Sequence, residues 1–247
     1  MKKRSFLPIL VPCLFALSLA STPVAAQQLT KEQVEQIVAD YIRDNPKAII
    51  ESVESFGRQQ QEAEEQATLD KINQFRDWIY KNDDHAVMGN PKGDVTIVEF
   101  FDYNCGYCKQ ALGDMMTLLD KDKKLKMVMI ELPILGDSSA AAGRWSLAAK
   151  RQNRYMEYHV ALMKHKGPLN ETVFKDYAKK LGLNVEQMEK DVKDPKINQI
   201  LDDNLRMAMT FGMTGTPGFI IGDKVFRGYV GMEAFEGAVI EARQRKK

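Results

Sequence analysis

Cysteine, histidine and tryptophan are scarce in this chain, with three, three and two copies among 247 residues. That shortage leaves no second ligand pair to complete a tetrahedral zinc site, and His85, His159 and His165 show no ligand spacing. No metal is therefore expected. Covalent haem attachment needs a histidine directly after a Cys-x-x-Cys pair; Lys109 stands there instead. Charge of one sign is lacking too, with 35 Lys and Arg against 34 Asp and Glu, so there is no electrostatic case for nucleic acid. Beyond the N-terminal segment no apolar run approaches the roughly 20 residues a membrane-spanning helix needs, and there is neither a repeat nor a low-complexity tract.

What is present begins with an export pattern. Met1 to Arg4 carry positive charge, "FLPILVPCLFALSLA" is an apolar core broken by prolines, and Val24, Ala25 and Ala26 are small residues before a cut. Residues 1–26 are expected to be a cleaved signal, delivering the rest to the periplasm. Cleavage removes Cys13 and leaves Cys105 and Cys108 as the only cysteines. In an oxidising compartment cysteines form disulfides, yet a bridge across two intervening residues closes too small a loop to act as a structural staple.

Residues 27–80 read as a helical arm. Thr30 and Gln33 form a capping-box pattern, and Val34, Ile37, Val38, Tyr41 and Ile42 fall on one helical stripe. Asn45 and Pro46 read as a stop and restart, with Asn45 as N-cap and Pro46 at the first position of a helix running to about Tyr80. Its middle, "GRQQQEAEEQATL", is polar. Its ends carry Ile49, Val53 and Phe56, then Leu69, Ile72, Phe75 and Ile79. Two apolar stripes with a polar lever between them suit an oligomerisation arm.

Residues 81–93 are rich in turn formers and read as a linker. From residue 94 to 247 the pattern is α/β. "VTIVEFFDY" is a buried strand, and the helix after it carries Leu112, Met115, Met116 and Leu119 on one face. "KLKMVMIELPI" is a strand of alternating type, about 138–211 is a helical insertion, two short strands meet at Gly222 and Asp223, and a helix runs from Met232 to Arg243.

The chemistry sits in "FFDYNCGYCKQ". A cysteine on the first turn of a helix meets unpaired amide groups and the positive end of the helix dipole, which favour thiolate over thiol. Cys105 occupies that place, and Cys108 is spaced to attack a mixed disulfide formed on it. Soft copper(I) also suits two thiolates. Met127 with Met129, or Met207 with Met209, resemble thioether pairs, although core filling explains such methionines equally well.

These residues resemble the DsbA superfamily of thioredoxin-fold thiol-disulfide oxidoreductases. Three features carry the likeness: the strand into Cys105-Gly106-Tyr107-Cys108, Glu99 six residues before the first cysteine, and "TGTPGF" with Thr216 before Pro217. The arm stretch "YIRDNPKAIIES", "GNPKGDVTIVEFFDYNCGYC" at the site and the Thr216-Pro217 pair are most similar to ScsC-type and Com1-like periplasmic proteins. Gly106-Tyr107 also occurs in the dimeric isomerase DsbC, whereas the monomeric oxidase has Pro-His between its cysteines. The resemblance implies a thioredoxin fold with an inserted helical domain plus the N-terminal arm. It also implies a proton-handling carboxylate at Glu99 and a cis Pro217 that with Thr216, Gly106 and Tyr107 binds the client strand. Asp102 and Tyr103 are expected to line the site.

The function expected is disulfide isomerase or reductase, with no cofactor beyond a redox-active Cys105–Cys108 disulfide. Its partners would be cysteine-containing clients, further copies of the chain and a membrane redox protein that recycles the thiols. A dithiol oxidase uses the same residues in the opposite redox direction, and a copper-handling or chaperone module is the alternative of another class.

Overall fold

The computed structural model describes residues 28–245; the expected signal segment lies outside them. The chain divides into two compact units, one ending at Phe56 and one beginning at Gly57. That division falls inside the 27–80 segment read as a single arm.

In the first unit, α1 (Lys31–Asp44) starts at the capping box, with the Gln33 amide donating to Thr30 Oγ1 at 3.3 Å and the Thr30 amide donating to Gln33 Oε1 at 2.9 Å. Asn45 closes α1 rather than opening the next helix: its amide and its Nδ2 both donate to the Tyr41 carbonyl at 2.9 Å. Pro46, which has no amide to satisfy, then begins α2 (Pro46–Gln74). None of α1 is buried.

The second unit contains the sheet. Here α2 ends short of Tyr80, because the chain turns at Phe75 before α3 (Arg76–Lys81). Phe75 packs edge-on against Phe211 with 6.5 Å between ring centroids, and Ile79 is fully buried. Ile72 and Ile79 share a core with Val98, Phe100, Val128 and Ile130. The second apolar stripe expected in the arm is therefore part of this unit's core. A strand also lies where only a linker was expected: β1 (Ala86–Gly89) pairs antiparallel with β3 (Leu125–Glu131). Its partner is about forty residues away in sequence, so local composition shows only turn formers.

The five strands lie in the order β1-β3-β2-β4-β5, where β2 is Val95–Phe101, β4 is Gly218–Ile221 and β5 is Lys224–Phe226. β2 and β3 run parallel with Glu99 opposite Met129 and Phe101 opposite Glu131, while β4 pairs antiparallel with β2. β3 is buried on both faces rather than alternating. Met127 and Met129 join the core beneath α4 (Gly106–Lys121), α10 (Met232–Gln244) and the insertion, and Val128 and Ile130 join the one beneath α3 and α9. Those methionines are core residues, and Met209 is exposed. The inward face of α4 is Cys108, Ala111, Leu112, Met115 and Leu118; Met116, off that stripe by one residue, is exposed.

Between β3 and β4 come α5 (Asp137–Arg151), α6 (Tyr155–Met163), α7 (Glu171–Lys180), α8 (Val185–Asp191) and α9 (Pro195–Thr210). Asn170, Asn184 and Asp194 each cap the helix that follows with a side-chain oxygen, which satisfies amides the helix itself cannot. Among the described residues no helix is long and apolar enough to cross a membrane.

Candidate active site

The carboxyl end of β2 delivers the chain into a short loop, and Cys105 is the N-cap of α4. Its sulfur accepts from the Cys108 amide at 3.3 Å, and the Cys105 amide donates to the Asp102 carbonyl at 3.1 Å. An amide donor and a helix N-terminus therefore converge on this sulfur and favour negative charge there. Both thiols are free. Cys108 lies one helical turn on, fully buried; burial, reinforced by the Glu99 carboxylate, pushes its thiol far above the usual range.

The peptide bond between Thr216 and Pro217 is cis, and the Cys105 thiol donates to the Thr216 carbonyl at 3.2 Å. The loop ahead of β4 is thus placed against the reactive sulfur although it is more than a hundred residues away in sequence. Its close fit extends to Gly218, where a Cβ would come within 2.6 Å of the Met213 sulfur. At Gly106 a Cβ would meet nothing within 4 Å, so the space beside that residue is open. Tyr107 is 64% exposed, and its ring stacks on Tyr229 at 6.3 Å between centroids and 22° between planes. Tyr229 in turn donates to the Asp114 carboxylate and accepts from Gln110 Nε2.

Glu99 is buried among apolar side chains, and neither of its oxygens has a hydrogen-bond partner among the described residues. Burial pushes its carboxyl up to about 8, which favours a neutral acid at neutral pH. Glu99 acts on Cys108 electrostatically, and in its ionised form it raises the inner thiol further. The geometry brings Glu99, Cys105, Cys108, Thr216 and Pro217 together, with Gly106 and Tyr107 on the surface above.

Asp102 touches this site through its backbone, which bonds to both Cys105 and Cys108, whereas its side chain and that of Tyr103 are engaged elsewhere. Asp102 is the turn former: its carboxylate accepts from the Asn104 amide at 2.7 Å, the Leu135 amide at 3.0 Å and the Ser139 hydroxyl at 2.7 Å. Tyr103 points inward and donates to Glu131. Sequence reading missed Glu131 and Tyr229. Glu131 carries the same signal as Glu99, a carboxylate in a strand otherwise apolar toward its end, on the same face as Leu125, Met127 and Met129.

This arrangement is a thioredoxin fold built for dithiol–disulfide exchange. Residues 96–239 match the DSBA-like thioredoxin domain, and the chain belongs to that family of thiol-disulfide oxidoreductases. Residues 31–64 match a family described as the copper resistance protein ScsC N-terminal domain. Among solved structures, a thioredoxin-like oxidoreductase from Silicibacter pomeroyi DSS-3 is 39% identical, with TM-score 0.66, covering 68% of this chain and 98% of that one. The thiol-disulfide exchange protein alpha-DsbA2 from Wolbachia pipientis is 31% identical, with TM-score 0.67, covering 72% and 97%. A curated relative, the Na(+)/H(+) antiporter NhaA 1 of Salinispora arenicola (strain CNS-205), is 28% identical over 161 residues, which are 64% of this chain and 24% of that protein. The chain spans about a quarter of the length of the curated relatives it matches.

Proposed function

We propose that this chain is a periplasmic protein disulfide isomerase or reductase that works as a homo-oligomer. The observation that supports exchange chemistry is the Cys105 sulfur, held between the Cys108 amide and the Thr216 carbonyl. In this mechanism the Cys105 thiolate attacks a client disulfide, forming a mixed disulfide and expelling one client sulfur as thiolate. Isomerisation is completed when another client thiolate attacks the mixed disulfide and Cys105 leaves. Reduction is completed instead when Cys108 passes its proton to the ionised form of Glu99 and attacks the Cys105 sulfur. That step forms the Cys105–Cys108 disulfide and frees the second client sulfur. The disulfide is the only redox group the cycle needs, and a membrane redox protein would return it to the dithiol. Thr216 and Pro217 hold the client strand, with Gly106 and Tyr107 beside it.

What favours isomerase over oxidase is the first unit. Val34, Ile37, Val38, Tyr41, Ile42, Ile49, Ile50, Val53 and Phe56 are each at least 38% exposed. A stripe of that size buries little unless other copies cover it. An assembly can hold a misfolded chain while its disulfides are exchanged.

The test is recovery of scrambled, oxidised ribonuclease in a redox buffer by the mature chain, by Cys105→Ala, and by Ile37→Glu combined with Phe56→Glu. Recovery by the mature chain that is abolished by Cys105→Ala and sharply reduced in the double variant supports the proposal. Fast oxidation of reduced ribonuclease with no recovery of the scrambled form sinks it in favour of a dithiol oxidase. Recovery that survives Cys105→Ala points to a chaperone module.

A further inference from the structure

A second buried polar centre lies beneath the loop that leads into Cys105, and the exchange chemistry above does not use it. Glu131, the last residue of β3, is almost fully buried, as are Tyr103, Tyr155 and His159. Tyr103 donates to Glu131 Oε1 at 2.9 Å, and Tyr155 donates to the same oxygen at 2.7 Å. Tyr103 Oη is also 3.1 Å from His159 Nδ1. With its only proton directed at Glu131, Tyr103 must accept from His159, so Nδ1 carries the hydrogen. Nε2 is then a bare lone pair, and it has no partner among the described residues. The opposite tautomer would bury an unsatisfied N–H, which costs more.

These bonds join two parts of the fold. Tyr103 belongs to the active-site loop, whereas Tyr155 and His159 belong to α6 of the insertion. The backbone carbonyl of Glu131 is held from α9 by Asn204 Nδ2 at 2.9 Å. On α5, Gly143 leaves Oε2 room, since a Cβ there would sit 3.4 Å from it. The titratable groups acting on the carboxyl are Asp102, Tyr103 and Tyr155, with His159 of α6 and Ser146 of α5 lying against Tyr103.

From this geometry we infer that Glu131 is a positioning residue for thiol exchange. It clamps the loop 102–104 to the insertion through Tyr103 and Tyr155, and it gains or loses a proton within that clamp, so that the hold on Cys105 changes with pH. Ionised, it makes two charge-assisted bonds and keeps the loop, and with it the Cys105 sulfur, at the N-terminus of α4. Neutral, it makes two ordinary ones. Burial pushes the Glu131 carboxyl up to about 8, with the Asp102 charge acting in the same direction and the two tyrosine bonds opposing. His159 is held near 3 by burial and stays neutral throughout.

The inference rests on the exchange reading of Cys105 and concerns how that residue is tuned. The experiment is the equilibrium of the full chain with glutathione from pH 6 to 9.5, for wild type, E131Q and Y155F. E131Q keeps an oxygen acceptor for both tyrosines but cannot ionise. The ratio of the wild-type and E131Q constants cancels the pH effects that both chains share. It should shift about fivefold toward the reduced dithiol as pH rises through 8, the difference between neutral and charge-assisted hydrogen bonds. Y155F removes a donor to the carboxylate and should move the same step to higher pH, a change that simple loosening of the fold would not produce. A ratio independent of pH overturns the inference, as does a Y155F step that stays in place. A chain that exchanges with glutathione but does not act on ribonuclease still decides the matter. A wild type that does not exchange with glutathione at all overturns the underlying reading and this inference together.

Discussion

The apolar stripe of α1 and the apolar stripe formed by the end of α2 and α3 look alike in sequence, yet their surroundings differ. On α1 every apolar side chain is exposed, whereas Ile72 and Ile79 are buried against the sheet in the second unit. A stripe says that a helix needs a partner; it does not say whether the partner is its own domain or another copy. Among the described residues the first unit also holds no buried titratable group, while the second holds Glu99, Glu131, His85 and His159. One unit leaves its apolar side chains exposed, and the other keeps its unusual chemistry inside.

The largest effect that tests this contrast is loss of side-chain volume. Ile79→Ala should cost about 3 kcal/mol in denaturant unfolding, the range for a large aliphatic residue in a closed core. Ile37→Ala should leave the second unit's unfolding within about 0.5 kcal/mol, as expected for a surface change. If both variants lower the same transition equally, the contrast between the stripes is wrong.

The next effect is pH dependence, which should belong to the second unit alone. Glu99 and Glu131 are both raised from 4.5 to about 8, so the folded chain binds more protons than the unfolded one between those values, and stability falls as pH rises through that window. His85 and His159 are lowered from 6.5 to about 4 and about 3, so stability also falls as pH drops below 6.5. The two limbs cross at mildly acidic pH, where unfolding midpoints should peak between about 5 and 6. E99Q combined with E131Q should flatten the alkaline limb and leave the acid limb intact. An alkaline limb that survives in the double variant contradicts the burial argument.

Sequence made the site legible where chemistry is local. Cys105 at a strand-to-helix junction and Cys108 one turn on follow from residue type and spacing, whereas Glu99 is singled out by resemblance. The cis Thr216–Pro217 loop came from resemblance, since no local rule places it against a cysteine so distant in sequence. What escaped depends on packing from a distance. β1 is a strand only because β3 passes beside it, α2 stops because Phe75 finds Phe211, and β3 is buried on both faces because α3 and α9 cover the side that alternation assigned to water. Tyr103 turned inward for a similar reason: its hydroxyl partner arrives on β3.

The smallest effect compares one local device in the two settings. Thr30 caps α1 and Asn170 caps α7, each through a side-chain oxygen that accepts an amide three residues on. Replacing either by alanine removes about 1 kcal/mol of helix stabilisation. In α7, which buries Phe174 and Ala178, that loss is shared by a cooperative core, so Asn170→Ala should lower the unfolding midpoint of the second unit by a few degrees. In α1, which buries nothing, Thr30→Ala should leave that midpoint unchanged. If assembly of copies folds α1, the same loss should appear as a roughly fivefold weaker association in sedimentation, because each copy must then restore the fraying turn before it docks. A Thr30→Ala chain that associates normally, with no loss of helix signal, would mean that the first turn of α1 lies outside the contact between copies and would move that contact toward Ile49, Val53 and Phe56.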